Sequence, residues 1–113
     1  MTSPDKPPYP FTGPDDLYAP ILHGLRRVVD PEVAMSIVDV GLVYGVDVTS
    51  DRLRVRLTMT SAACPVVDVI MDDVGREMDK VVPAETAIDV ELVWEPPWTT
   101  DLMSARAKAF MGW

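Results

Sequence analysis

The sequence holds one cysteine and one histidine in 113 residues. A single cysteine excludes an internal disulfide and any C-x-x-C redox or metal motif. The lone histidine, His23, has no cysteine near it along the chain and reads as an ordinary helix residue. Gly-rich phosphate loops are absent, and no apolar run approaches the roughly 20 residues that span a bilayer. Basic residues are scarce too: 10 Lys and Arg stand against 18 Asp and Glu, for a net charge of −8. Nucleic-acid binding draws its affinity from Lys and Arg on phosphates, so this balance argues against it, and against anionic membrane surfaces for the same reason. The N-terminus lacks the apolar core of a secretory leader, which leads to the expectation of a cytoplasmic protein.

What remains is an ordinary globular composition, 48% apolar and 25% charged, in a length that suits a single core. Pro4, Pro7, Pro8, Pro10 and Pro14 mark residues 1–14 as a Pro-rich flexible arm, leaving residues 15–113 as a single domain. From Asp16 to Val29, Tyr18, Ile21, Leu22, Leu25, Val28 and Val29 recur at helical intervals, with Asp15 or Asp16 as cap. Asp30 precedes Pro31, which stops the helix. Asp30 to Glu32 and Asp39 to Gly41 are predicted turns.

Between Leu42 and Thr60 the period changes to two. Tyr44, Val46 and Val48 are expected on one face. After a Ser50-Asp51 turn, Leu53, Val55, Leu57 and Met59 alternate with Arg52, Arg54 and Arg56, and Asp47 falls opposite Arg54. A third strand is predicted from Thr86 to Trp94, with Ile88, Val90, Leu92 and Trp94 inward and Asp89 and Glu91 outward. Placing the arginine strand between its two acidic neighbours pairs opposite charges on both sides, giving order 1-2-3 with strands two and three parallel. The expected fold is therefore α/β (α+β). It is a two-layer sandwich with element order α-β-β-α-β-α and a three-stranded mixed sheet, helices on one face.

Strand two leads through Thr58-Met59-Thr60-Ser61-Ala62-Ala63 to Cys64-Pro65 and a second helix, with Val67, Ile70, Met71, Val74 and Met78 on its apolar side. Pro65 suits the first helical position, which makes Cys64 the N-cap. There the sulfur lies beside unpaired backbone N–H groups at the positive end of the helix dipole, and both favour thiolate over thiol. A thiolate is a metal ligand or a nucleophile. The alternative is a small residue filling a tight turn. Trp94-Glu95-Pro96-Pro97-Trp98 cannot continue a ladder. Thr99 or Thr100 is expected to cap a last helix with Met103, Ala107 and Phe110 on one face and Gly112 as stop. The tryptophans read either as a clasp holding this tail or as a partner-binding patch.

Four blocks resemble the small iron–sulfur cluster assembly family that includes SufT and, more distantly, the PaaD component of phenylacetate degradation. They are Val29-Asp30-Pro31-Glu32, Ile37 to Tyr44, Thr58 to Pro65, and Trp94 to Ser104. The resemblance implies a factor for assembly or trafficking of iron–sulfur clusters, not an enzyme, with Cys64 as a shared ligand to a transient cluster or iron and Asp30, Asp39, Thr58 and Thr60 in support. Its partners would be assembly machinery and client apoproteins. Clusters are commonly held by four thiolates, so one cysteine needs ligands from a homodimer mate, a client or a small thiol. Ala63 and Ala34 stand where the family usually has glycine and proline, and this sequence shows no cysteine-rich tail of the PaaD kind. Three other readings are carried forward. They are a non-metal adaptor working through Trp94 to Trp98, a PaaD-like component of an aromatic-degradation oxygenase, and a thiol enzyme with His23 as base.

Overall fold

The computed structural model describes residues 9–60 and 64–112, without the side chains of Cys64 and Pro65. A four-stranded sheet carries one layer of helices. Its strands are β1 (Phe11–Thr12), β4 (Val43–Val48), β5 (Arg52–Leu57) and β6 (Ala87–Leu92), in that spatial order. The expected order of the three long strands is observed: β4 and β5 are antiparallel, β5 and β6 parallel, and the crossover between them is α3 (Cys64–Asp79). Arg54 lies opposite both Asp47 and Asp89 in register. Ion pairs run between Arg52 and Asp89 and between Arg56 and Asp47, with Arg54 and Asp89 3.8 Å apart. Leu53, Val55 and Leu57 point the other way and are fully buried, each burial contributing roughly 1.5–3 kcal/mol.

Three short elements go beyond the expected α-β-β-α-β-α order. β1 adds a fourth strand. Val29–Asp30 (β2) and Met35–Ser36 (β3) form an antiparallel hairpin of their own. Ile37–Val40 (α2) replaces the expected Asp39 to Gly41 turn, with the Ser36 hydroxyl accepting from the Val38 N–H. The first helix, α1 (Asp15–Arg26), accordingly ends sooner than its apolar spacing suggests, because Val28 and Val29 belong to the core and to β2. Asp15 and Asp16 lie inside its first turn, and the capping position is Pro14.

The arm expected over residues 1–14 is described only from Tyr9. Its last residues are docked: Pro10 accepts the Val46 N–H at 3.0 Å, and Phe11–Thr12 pairs in parallel with Val46 and Asp47. Tyr9 is 3% exposed. Its ring lies 6.4 Å from that of Tyr18, and Phe11 meets the Tyr18 ring in a T-shaped contact at 5.3 Å.

α1 and α3 pack together on the inner face of the sheet, with Ile21, Leu25, Ile70, Val74 and Met78 fully buried. Glu77 on α3 accepts from Arg27 at 3.0 Å and from Lys80 at 3.3 Å. The Arg27 hydrogen bond, foremost, holds the Glu77 carboxyl below the usual carboxylate range.

Three side chains depart from the alternation read in the sequence. A bulge between Val43 and Gly45 shifts the register, so Val43 takes the inward place and Tyr44 turns to donate its hydroxyl to the Pro96 carbonyl at 2.6 Å. Trp94 lies beyond β6 and is 46% exposed, since the strand stops at Leu92 ahead of the prolines. Phe110 is 72% exposed, whereas Met103 and Ala107 are buried as expected. The tail helix α4 (Ala105–Met111) is capped by Ser104 rather than by Thr99 or Thr100, of which the first precedes and the second begins a 3-10 turn at Thr100–Leu102.

Candidate functional site

β5 ends at Leu57 and the chain runs on toward Cys64, the first residue of the 16-residue α3. That is the strand-to-helix junction the sequence predicts, with the helix opening one residue earlier than Pro65. Cys64 thus takes the first helical position rather than the expected N-cap, and its side chain and residues 61–63 lie outside the described residues. Backbone N–H groups of a first helical turn have no intrahelical acceptor, so the junction is a place that favours negative charge.

Thr58 stands at the exit of β5. Its N–H donates to Leu42 at 2.8 Å, and the preceding carbonyl, of Leu57, accepts from Val93 at 2.7 Å. It is fully buried, and its hydroxyl has no hydrogen-bond partner among the described residues. Buried hydroxyls are normally satisfied, so this one is an exception that lies six residues before Cys64. Thr60 is half-buried.

Asp30 is 1% exposed, an unusual place for a carboxylate. One of its oxygens accepts the Glu32 N–H at 2.9 Å and its carbonyl accepts the Ala34 N–H at 2.7 Å, so it organises the loop between β2 and β3. Ala34 closes that loop at φ 59°. The hairpin packs against α2, and its first strand, β2, also packs against α3. Asp39 does different work. Its carbonyl accepts the Ser104 N–H at 2.8 Å and its carboxylate accepts from the Ser104 hydroxyl at 3.3 Å, tying α2 to α4.

Two more pins hold the tail. The Trp98 indole N–H donates to Val40 at 2.8 Å, so Trp98 is the clasp while Trp94 is not. Gly41, at φ 87°, lies so close to the tail that a Cβ there would come within 2.3 Å of the Leu102 carbonyl oxygen. Beside these pins opens a groove of about 410 Å³ with Tyr9, Tyr44, Arg56, Glu95 and Pro96 in its walls. Val43 and Val93 also line it, which sets it at the end of the sheet from which the chain leaves for Cys64. The sequence reading missed this groove. Gly45 inside a strand pattern was the available signal, because an isolated glycine there marks a bulge.

His23 is exposed on α1. Among the described residues no three His, Cys, Asp or Glu side chains gather closely enough to hold a metal ion, and no helix is long and apolar enough to cross a membrane.

These features define a small two-layer α/β domain with its one thiol-bearing residue at the junction between the central strand and a covering helix. Residues 19–91 match the model of the iron–sulfur cluster assembly protein family, and the chain belongs to that family. It is 42% identical to the Fe-S protein maturation auxiliary factor YitW of Bacillus subtilis over 81% of this chain and 90% of that protein. It is 41% identical to the Fe-S protein maturation auxiliary factor SufT of Staphylococcus aureus over 75% of this chain and 97% of that one. The crystal structure of a domain of unknown function from Bacillus anthracis superposes with a TM-score of 0.78 at 35% identity, covering 87% of this chain and 93% of its own.

Proposed function

We propose that this protein aids maturation of iron–sulfur proteins by carrying an iron–sulfur cluster, or iron, as cargo, with Cys64 as one of its ligands. The observation that supports this most is the position of the sole cysteine at the opening of α3, in a chain whose relatives are named Fe-S maturation factors. Coordination requires the thiolate, so loading releases the Cys64 proton to solvent. Hand-over returns a proton to Cys64 as the client's thiol loses its own. One thiolate cannot cage a cluster. The remaining ligands come from a client apoprotein, a carrier, a small thiol or a second subunit, and incomplete ligation suits transfer better than storage. A cytoplasmic setting, where thiols stay reduced, fits a lone free cysteine. Asp30 and Thr58 act in support, the first by shaping the hairpin beside α3, the second through its spare buried hydroxyl.

Anaerobic reconstitution with iron and sulfide, followed by visible absorption, tests this. Wild type should develop a charge-transfer band that Cys64→Ser lacks at unchanged melting temperature. Equal bands, together with unchanged client maturation in a Cys64→Ser strain, would remove the case for sulfur chemistry.

The adaptor reading keeps one observation in its favour, the 46% exposure of Trp94. It requires Trp94→Ala to impair client maturation more than Cys64→Ser does. Trp98→Ala does not discriminate between the two readings, because its loss would loosen the tail.

A further inference from the structure

β6 is the last strand of the sheet, and one of its edges has no neighbour among the described residues. Ala87 N–H donates to Asp51 and Val93 N–H to Leu57, at 2.9 and 2.7 Å. In a parallel ladder these bonds recur every second residue, so the odd-numbered amides serve β5 and the backbone groups of Ile88, Val90 and Leu92 point to the open edge. The strand has no proline, no lysine and no bulge over its six residues, and the charged side chains it does carry, Asp89 and Glu91, are both acidic. Ile88, Val90 and Leu92 are only half-buried.

The geometry points to an occupant for this edge: an extended segment of a partner protein, with Lys or Arg at alternate positions, added to β6 as a fifth strand. Charge decides the chemistry. Asp89 is already paired with Arg52, while Glu91 is exposed and has no ion-pair partner among the described residues. Glu85 and Glu95 flank the strand. A cation opposite Glu91 is favourable, and the chain's −8 charge steers basic segments toward it. Apolar residues between the cations would continue the face of Ile88, Val90 and Leu92.

A second copy fits poorly. Antiparallel self-pairing that keeps apolar residues on one face must centre on a residue of β6. Centring on Val90 sets Asp89 against Glu91, centring on Asp89 sets it against itself, and centring on Glu91 does the same there; centring on Ala87, Ile88 or Leu92 overlaps at most three residues of the strand. Like charges directly opposite are destabilising. The inference does not rest on Cys64 and stands or falls separately from cargo binding.

NMR-detected hydrogen exchange on the full chain tests it, using two synthetic peptides with alternating Val and either Lys or Glu. The Lys peptide should slow exchange at Ile88, Val90 and Leu92 and leave the β5-bonded amides unchanged, whereas the Glu peptide should not. Val90→Pro removes an outward donor and should cut affinity at least about tenfold. Glu91→Lys should weaken the Lys peptide about five- to tenfold at low salt and admit the Glu peptide. The proposal is overturned if these amides are already protected in the free monomer or if protection rises with protein concentration alone. It is equally overturned if the Lys peptide fails to bind, or binds with no response to both variants.

Discussion

Along the outer side of β4, the residues from Pro10 to Gly13 lie against Val46 to Val48; along the outer side of β6, no strand lies among the described residues. β4 and β6 are each six residues long and both border an apolar core. The difference is what sits beside them in sequence. Prolines 10 and 14 and Gly13 cannot build a long strand, but they suit a short one that ends a sheet without inviting more pairing. Acidic residues do not close β6. They select what pairs there, so one border is finished within the chain and the other stays selective.

The largest test removes the anchor of the closed border. Tyr9→Ala should cost about 3–5 kcal/mol in denaturant unfolding, as loss of a buried aromatic does, and should expose the Val46 amide to exchange. A loss below about 1 kcal/mol would mean the arm is not held by Tyr9. Next comes Gly13→Ala. Gly13 has φ 152°, and a Cβ there would meet Val48 Cβ at 2.8 Å, so about 1–2 kcal/mol should be lost by strain and undocking.

Tyr9→Phe has the opposite sign. The Tyr9 hydroxyl is buried without a partner among the described residues, and its removal should stabilise by about 1 kcal/mol. Burial, foremost, pushes its pKa upward, with Tyr18 adding to the effect. The folded state therefore keeps a proton that the unfolded chain releases near pH 10. The stability from neutral Tyr9 is full below that pH and lost above it. Wild type should weaken in this alkaline range more than Tyr9→Phe; equal slopes would place the hydroxyl in water. The smallest change is expected at the open border, where Val90→Pro should alter stability by less than about 1 kcal/mol. A larger loss would show that the Val90 amide is used within the fold.

The middle of the sheet was legible because charge and alternation agreed there. Arg52, Arg54 and Arg56 between Asp47 and Asp89 gave both order and direction. The margins were not. β1, the β2–β3 hairpin and α2 are two to four residues long, too short for periodicity, and are set by what they pack against. Tyr44 was misplaced because a bulge breaks the very alternation used to place it. At the site, Cys64 at a helix opening was readable from Pro65. The roles of Asp30 and Asp39 were not, since identical side chains in two similar motifs turn out to shape a loop and to fasten a tail.

Ala34 carries a consequence for anyone exchanging loops within this family. Its backbone is left-handed, φ 59°, a rotation that a pyrrolidine ring forbids outright. A loop carrying proline at that place would have to thread the hairpin by another path, so it is no drop-in graft here. Glycine, by contrast, would enter without resistance.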